Sequence, residues 1–235
     1  MNEIKRFYDT EYHFEEDIQK PDLGRLKGYF KHFEVHPGSS IVDIGCGSGL
    51  NLKFWEDKGL NMFGIDLSTK AIKIAKSIVP TANLLVGDGQ NLPFKESSFD
   101  YATLLGVLEH FPEPARGLDE LYRVLKPGGK VCFVVPNSFG KLGKLVGFSG
   151  TEQEQELLLT MNEWKKLIED HGFKVYHIHR DRGPKIFKNY KIIRMFFRVL
   201  LILTLLLPKS FAYQFVIYAS KNVKNPPHSD GVPEE

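Results

Sequence analysis

Residues 41–49 read Ile41-Val42-Asp43-Ile44-Gly45-Cys46-Gly47-Ser48-Gly49. An apolar run breaks into three glycines spaced two apart, with Asp43 two residues ahead of the first. Glycine is the residue of choice where a chain turns sharply and a ligand comes close to its backbone. Residues 50–55 then read as the first turns of a helix. Strand, glycine turn and helix in that order build a nucleotide site at the carboxyl end of the first strand of an α/β fold.

Many glycine turns bind nucleotides, and spacing separates them. A dinucleotide fingerprint is G-x-G-x-x-G, but Leu50 stands where its third glycine belongs. The Gly-Lys-Ser/Thr ending of a phosphate-binding loop is absent too, and no basic residue lies between 41 and 52. Asp43 instead suits a ligand with a cationic or hydroxyl-rich end. A second strand, 61–66, ends in Asp66, about 20 residues past the glycines, where a carboxylate can accept both hydroxyls of a ribose. Leu67 follows, and Ser68 offers an N-cap to a helix with apolar positions Ala71, Ile72, Ile74, Ala75, Ile78 and Val79. A third strand, 84–89, carries Asp88 and Gly89 at its end. Each acid alone reads equally well as a turn or cap residue. Three of them at strand ends, in register with the glycine turn, argue for a site.

The pattern continues. Leu92-Pro93-Phe94 and Ser98-Phe99-Asp100 lead into a fourth strand at 101–105, followed by Gly106-Val107-Leu108-Glu109-His110-Phe111. Leu125-Lys126-Pro127-Gly128-Gly129 closes a helix and opens a fifth strand at 130–135. Across 39–135, with a looser match at 160–180, the chain resembles the class I S-adenosylmethionine-dependent methyltransferases. Within them it is similar to the ubiquinone/menaquinone C-methyltransferase subgroup. The resemblance implies an α/β, Rossmann-like, seven-stranded sheet in the order 3-2-1-4-5-7-6, the last strand antiparallel, with helices on both faces. It implies S-adenosylmethionine as cofactor and S-adenosylhomocysteine as product. The implied cofactor residues are Asp43, Gly45, Cys46, Gly47 and Gly49 in the first motif, and Asp66 on the ribose with Leu67 against the adenine. Asp88 would accept the adenine amino group and the Gly89 N–H would meet a ring nitrogen. Leu105 and Gly106 follow strand four, and Tyr12 reaches in from an N-terminal cap. His110 is the candidate base by position, and a loop-holding residue at a helix start is the other reading of it. Glu109 is expected to organise the loop or the cofactor's methionine end.

Composition agrees with one α/β domain over 1–224. The 42% hydrophobic content is enough for a core, and the net charge of +2 gives no global reason to expect nucleic acid. Cys46 and Cys132 fall in the glycine turn and a core strand, so free thiols in a reducing, cytoplasmic compartment are expected. No metal-ligand cluster is visible in the spacing, and the eight histidines are scattered. Residues 1–17 are polar and acidic, unlike a signal peptide. Residues 1–36 are expected to form the N-terminal cap, 136–160 and 181–210 insertions on the substrate side, and 225–235 a disordered tail.

The link between strands six (173–179) and seven (212–219) is the most individual part. Residues 174–198 hold Lys174, Arg180, Arg182, Lys185, Lys188, Lys191, Arg194 and Arg198 against one acid, Asp181. Residues 199–207 are almost wholly aliphatic. Nine helical residues span about 14 Å, whereas a bilayer core needs roughly 20 apolar residues, so no crossing is expected. Three readings stand side by side: an extra helix packed on the domain, a helix of 185–207 lying on an anionic membrane surface, or a contact in a homodimer of an otherwise monomeric chain. The acceptor is expected to be a small molecule, apolar or lipid-like. Alternatives are a non-catalytic cofactor-binding scaffold, a nicotinamide oxidoreductase and a nucleic-acid methyltransferase. The last lacks an Asn/Asp-Pro-Pro-Tyr motif after strand four that would hold a flipped base.

Overall fold

The computed structural model of the chain describes residues 2–10, 23–138, 156–181, 212 and 214–223. Tyr12, most of the 181–210 insertion, the membrane-surface segment 185–207 and the 225–235 tail therefore lie outside the described residues.

The described chain forms one seven-stranded sheet in the order β3-β2-β1-β4-β5-β7-β6. The strands are β1 (Ser40–Ile44), β2 (Asn61–Asp66), β3 (Asn83–Val86), β4 (Phe99–Leu105), β5 (Leu125–Pro136), β6 (Phe173–Arg180) and β7 (Gln214–Lys221). Strands β1 to β5 pair in parallel, and β7 runs antiparallel between β5 and β6. This is the order and the single reversed strand that the sequence implies.

Alternation along the strands divides the core into two layers, because successive side chains point to opposite faces. One face carries Val42, Ile44, Ala102, Leu104 and Phe133, covered by Leu118, Leu121 and Val124 of the helix Pro114–Val124 and by Trp164 and Ile168 of the helix Met161–Asp170. The other carries Ile41, Tyr101, Cys132, Val134, Val216 and Tyr218, covered by Leu52, Trp55, Phe30 and Phe33. In chain order the helices are α1 (Asn2–Thr10), α2 (Leu23–Tyr29), α3 (Leu50–Trp55), α4 (Thr69–Ile78), α5 (Pro114–Val124) and α6 (Met161–Asp170). Both cysteines are buried free thiols, and burial pushes each thiol well above its usual range.

Local chemistry sets the helix ends. Ser68 caps α4, its Oγ accepting from the Ala71 N–H. Thr160 and Glu163 form a reciprocal capping box at the start of α6, and the Trp164 Nε1–H donates to the Pro136 carbonyl at 2.8 Å. Gly172 follows α6 with φ 84°, the left-handed end expected of it. The Leu-Lys-Pro-Gly-Gly turn differs in detail from its reading. The chain is already extended at Leu125, opposite Phe99, and the register then jumps so that Tyr101 faces Lys130. The turn is therefore a loop bulging out of β5, made possible by Gly128 at φ 76°.

Candidate active site

The sheet reverses its winding between β1 and β4. In open α/β sheets that reversal opens a crevice at the carboxyl ends of the strands. Here the crevice is bordered by the loops after β1, β2, β3 and β4. Gly45, Gly47, Asp66, Leu67, Asp88, Gly89, Leu105, Gly106 and His110 are all partly exposed there.

The turn after β1 has Gly45, Gly47 and Gly49 at φ 69°, 51° and 81°. A Cβ on Gly45 would stand 2.5 Å from a Val107 methyl, so the turn and the loop after β4 are in direct contact. The Gly45 and Cys46 N–H groups both donate to the Ile65 carbonyl, which holds the turn against the end of β2. Cys46 faces inward: a Cβ on Gly64 would lie 3.0 Å from its sulfur. Its thiol therefore belongs to the core, and only its backbone borders the crevice.

Asp66 is fixed at both oxygens. Oδ2 accepts from the Gly47 N–H at 2.8 Å and Oδ1 from the Ser68 N–H at 2.8 Å. Burial raises its carboxyl above the ordinary value, while these two N–H groups pull it down. Asp43 is placed differently. It is 2% exposed, beneath the turn, with Oδ1 accepting from the Thr103 hydroxyl at 2.6 Å. Thr103 in turn accepts from Asn51 Nδ2 at 2.9 Å. Burial pushes the Asp43 carboxyl up to about 7, with Thr103 and Asn51 acting against the shift. Asp43 thus braces the first turn of α3 against β4.

At the end of β3, Asp88 Oδ1 accepts from the Gln90 N–H at 2.9 Å and from Gln90 Nε2 at 3.3 Å. The same glutamine, itself buried, accepts the Glu113 N–H. Gly89 is pressed against the loop after β4, since a Cβ there would meet Phe111 at 2.5 Å and Ile44 at 2.8 Å. The sequence reading did not single out Asn51, Thr103, Gln90 or Phe111 for the site. Asn51 and Thr103 lie 52 residues apart, Gln90 reaches Glu113 23 residues on, and Phe111 makes packing contacts; only the Gln90–Asp88 pair is local.

The N-terminal helix reaches the same place. Asp9 Oδ1 accepts from the Ser68 hydroxyl at 2.6 Å and from the Lys70 N–H at 3.2 Å. Asp9 and Ser68 together satisfy two of the unpaired N–H groups of the first turn of α4. This places α1 beside Asp66 and Leu67. Helix α2 packs its body on the sheet face, and its Arg25 bonds Asp181 and Gln214 at the carboxyl end of β6.

The spacing shows no metal-ligand cluster, yet the fold brings one carboxylate or imidazole ligand atom from each of Glu109, His110 and Glu156 within 4.8 Å of one another. Glu109 and His110 lie on a single 3-10 turn, Leu108–His110, and Glu156 comes 46 residues later. Glu109 is 4% exposed, its Oε2 has no hydrogen-bond partner, and burial pushes its carboxyl up to about 8.

Comparisons with known proteins bear on the family and the fold. Residues 42–133 match the family model described as a methyltransferase domain. A demethylmenaquinone methyltransferase from Paenarthrobacter aurescens is 34% identical over 98 residues, 42% of this chain and 39% of that protein. Matches to two further demethylmenaquinone methyltransferases span 40% and 43% of those proteins, so the chain aligns with less than half of each curated relative. Among solved structures, the chain resembles one from a complex between a Haloferax volcanii methyltransferase activator and a methyltransferase. The TM-score is 0.70 at 19% identity, over 94% of this chain and 98% of that one. It also resembles Haemonchus contortus phosphoethanolamine N-methyltransferase 2 in complex with S-adenosyl-L-methionine, with TM-score 0.65 at 19% identity, over 93% of this chain and 59% of that one. These two likenesses establish the fold.

Proposed function

We propose, from the match of residues 42–133 to the methyltransferase-domain family model, that the chain transfers a methyl group from S-adenosylmethionine to a small, apolar or lipid-like acceptor. The observation that carries the cofactor is the anchored carboxylate of Asp66. An ionised carboxylate offers about four acceptor positions. Two are taken by the Gly47 and Ser68 N–H groups, which fix the plane of the group. Two are left for the paired hydroxyls of a ribose. Gly45 and Gly47 bring the turn to the loop after β4 and to Asp66 without side chains of their own, and the absence of basic residues between 41 and 52 disfavours a phosphate ligand. Asp88, steadied by Gln90, is placed to accept an exocyclic amine. These residues fit the adenosine half of the cofactor.

When bound, the cofactor supplies a sulfonium methyl that is open to in-line displacement. The task left to the protein is alignment, which can supply much of the barrier reduction. The Gly45–Val107 contact and the Gly89–Phe111 contact lock the cofactor-side turns to the loop after β4. That loop carries Glu109 and His110 and thereby sets the far wall of the crevice. Residues 156–160 close on it, with the Leu157 N–H donating to the Glu109 carbonyl at 2.8 Å.

The acceptor class is supported by the kinship to demethylmenaquinone methyltransferases and by the basic, aliphatic stretch 181–210, which leaves the carboxyl end of β6 on the same edge of the sheet. An anionic membrane surface met by 185–207 would present such an acceptor. The test is a labelled-methyl screen of the full chain against cytosolic and lipid extracts. We expect label in an organic-soluble product together with S-adenosylhomocysteine. Label confined to nucleic acid, or none in any fraction, would overturn this reading.

A further inference from the structure

We propose that Glu109, His110 and Glu156 form a binding site for a divalent cation on the acceptor side of the crevice. Two carboxylates and an imidazole bring one ligand atom each to within 4.8 Å of one another, close enough to share a single ion. The second observation is the state of Glu109. Its side chain is almost wholly buried, and its Oε2 has no hydrogen-bond partner. A buried polar atom left unpaired is costly, and proteins seldom leave one without a use. A cation would remove that cost.

The site is also held in shape. Its ligands come from two chain segments joined by the main chain. The Leu157 N–H bonds the Glu109 carbonyl at 2.8 Å, which fixes Glu156 next to Glu109. The Ser138 N–H bonds the Leu159 carbonyl, and Asn137 bridges Leu159, so the segment is tied to the end of β5. The capping box of Thr160 and Glu163 then anchors it to α6. On the crevice side, a Cβ on Gly106 would lie 3.7 Å from Glu109 Oε1. The cluster therefore lies directly behind the loop that borders the cofactor turn.

The donor set indicates the kind of ion. Imidazole with carboxylate oxygens suits Mn²⁺, Zn²⁺ or Fe²⁺. Three protein ligands with further positions open is the form of a catalytic rather than a structural site. The open positions would hold an oxygen of the acceptor and orient it, a role that rests on the methyl-transfer reading. Cation binding itself does not rest on that reading.

The test uses the full chain stripped with EDTA and titrated with Mn²⁺, the free ion being followed by electron paramagnetic resonance, with Zn²⁺ as competitor. We expect one Mn²⁺ per chain, displaced by Zn²⁺, with affinity at least about tenfold weaker in Glu109→Gln and in Glu156→Gln. S-adenosylmethionine affinity, measured separately by calorimetry, should change less than about twofold in Glu156→Gln. Circular dichroism accompanies both variants. If the buried Glu109→Gln does not fold, Glu156→Gln decides. No saturable binding of Mn²⁺ or Zn²⁺ by the wild type, or binding undiminished in Glu156→Gln, would overturn the site. Mn²⁺ binding that Glu156→Gln abolishes, in a chain that takes up no S-adenosylmethionine, would uphold the cation site and overturn the methyl-transfer reading instead.

Discussion

Asp43 and Asp66 lie on neighbouring strands, and both were expected at the cofactor from their place beside glycine. Their surroundings separate them. Asp66 is partly open and bound by two backbone N–H groups, whereas Asp43 is enclosed and bound by a hydroxyl. The consequence for Asp43 is a pH-dependent stability. Its carboxyl is raised to about 7 in the folded state by burial, against about 4 in an unfolded chain. Between those values the folded state holds more protons than the unfolded one. The contribution of this group is thus fully present below pH 4 and is lost as pH rises through 7. Asp43→Asn keeps a carbonyl oxygen for Thr103 and cannot titrate. Urea unfolding from pH 4 to 7 should show the variant gaining on the wild type by up to ~1.4 kcal/mol per pH unit. Parallel curves would contradict the burial. The sequence located both acids because their spacing from the glycines is local. It could not show that Thr103 encloses one of them, since that contact joins residues 60 apart.

At the scale of elements, features set by neighbours in the chain were legible and docking was not. The Ser68 cap, the Thr160–Glu163 box and the left-handed Gly172 each follow from residues within one turn of each other. Helix α1 carries no such mark. Its Asp9 joins a helix whose cap lies 59 residues later. The Ser68 hydrogen bond is the main reason the Asp9 carboxyl is held below its ordinary value, which means that the charged form makes the dock. Since α4 starts just after Asp66 and Leu67, releasing α1 should loosen one wall of the proposed cofactor site. For Asp9→Ala we expect faster amide exchange in residues 5–10 and a several-fold loss of S-adenosylmethionine affinity, with the melting temperature of the sheet domain little changed. Unaltered exchange in α1 would show that its docking does not depend on this carboxylate. The three-residue slip in β5 was equally out of reach, because it is a matter of pairing register with β4 rather than of the turn's own sequence.

For the whole molecule, strand order does most to place the site. Motif-bearing loops far apart in sequence meet because β1 and β4 are neighbours and the chain winds outward from them in both directions. That much was legible, because glycines and acids recur at strand ends. The Glu109–His110–Glu156 cluster was not, because one of its members arrives from a segment beyond β5. Among the described residues no helix is long and apolar enough to cross a membrane. The central claim is that the crevice at the carboxyl edge binds S-adenosylmethionine through Asp66. Calorimetric titration of the full chain with S-adenosylmethionine and with NAD, in wild type and Asp66→Ala, tests it directly. The account expects one S-adenosylmethionine per chain, no NAD binding, and an affinity at least about tenfold weaker in the variant, since hydrogen bonds to a charged group contribute roughly 1.5–3 kcal/mol each. Binding of NAD by the wild type, or S-adenosylmethionine affinity unchanged in Asp66→Ala, would contradict it.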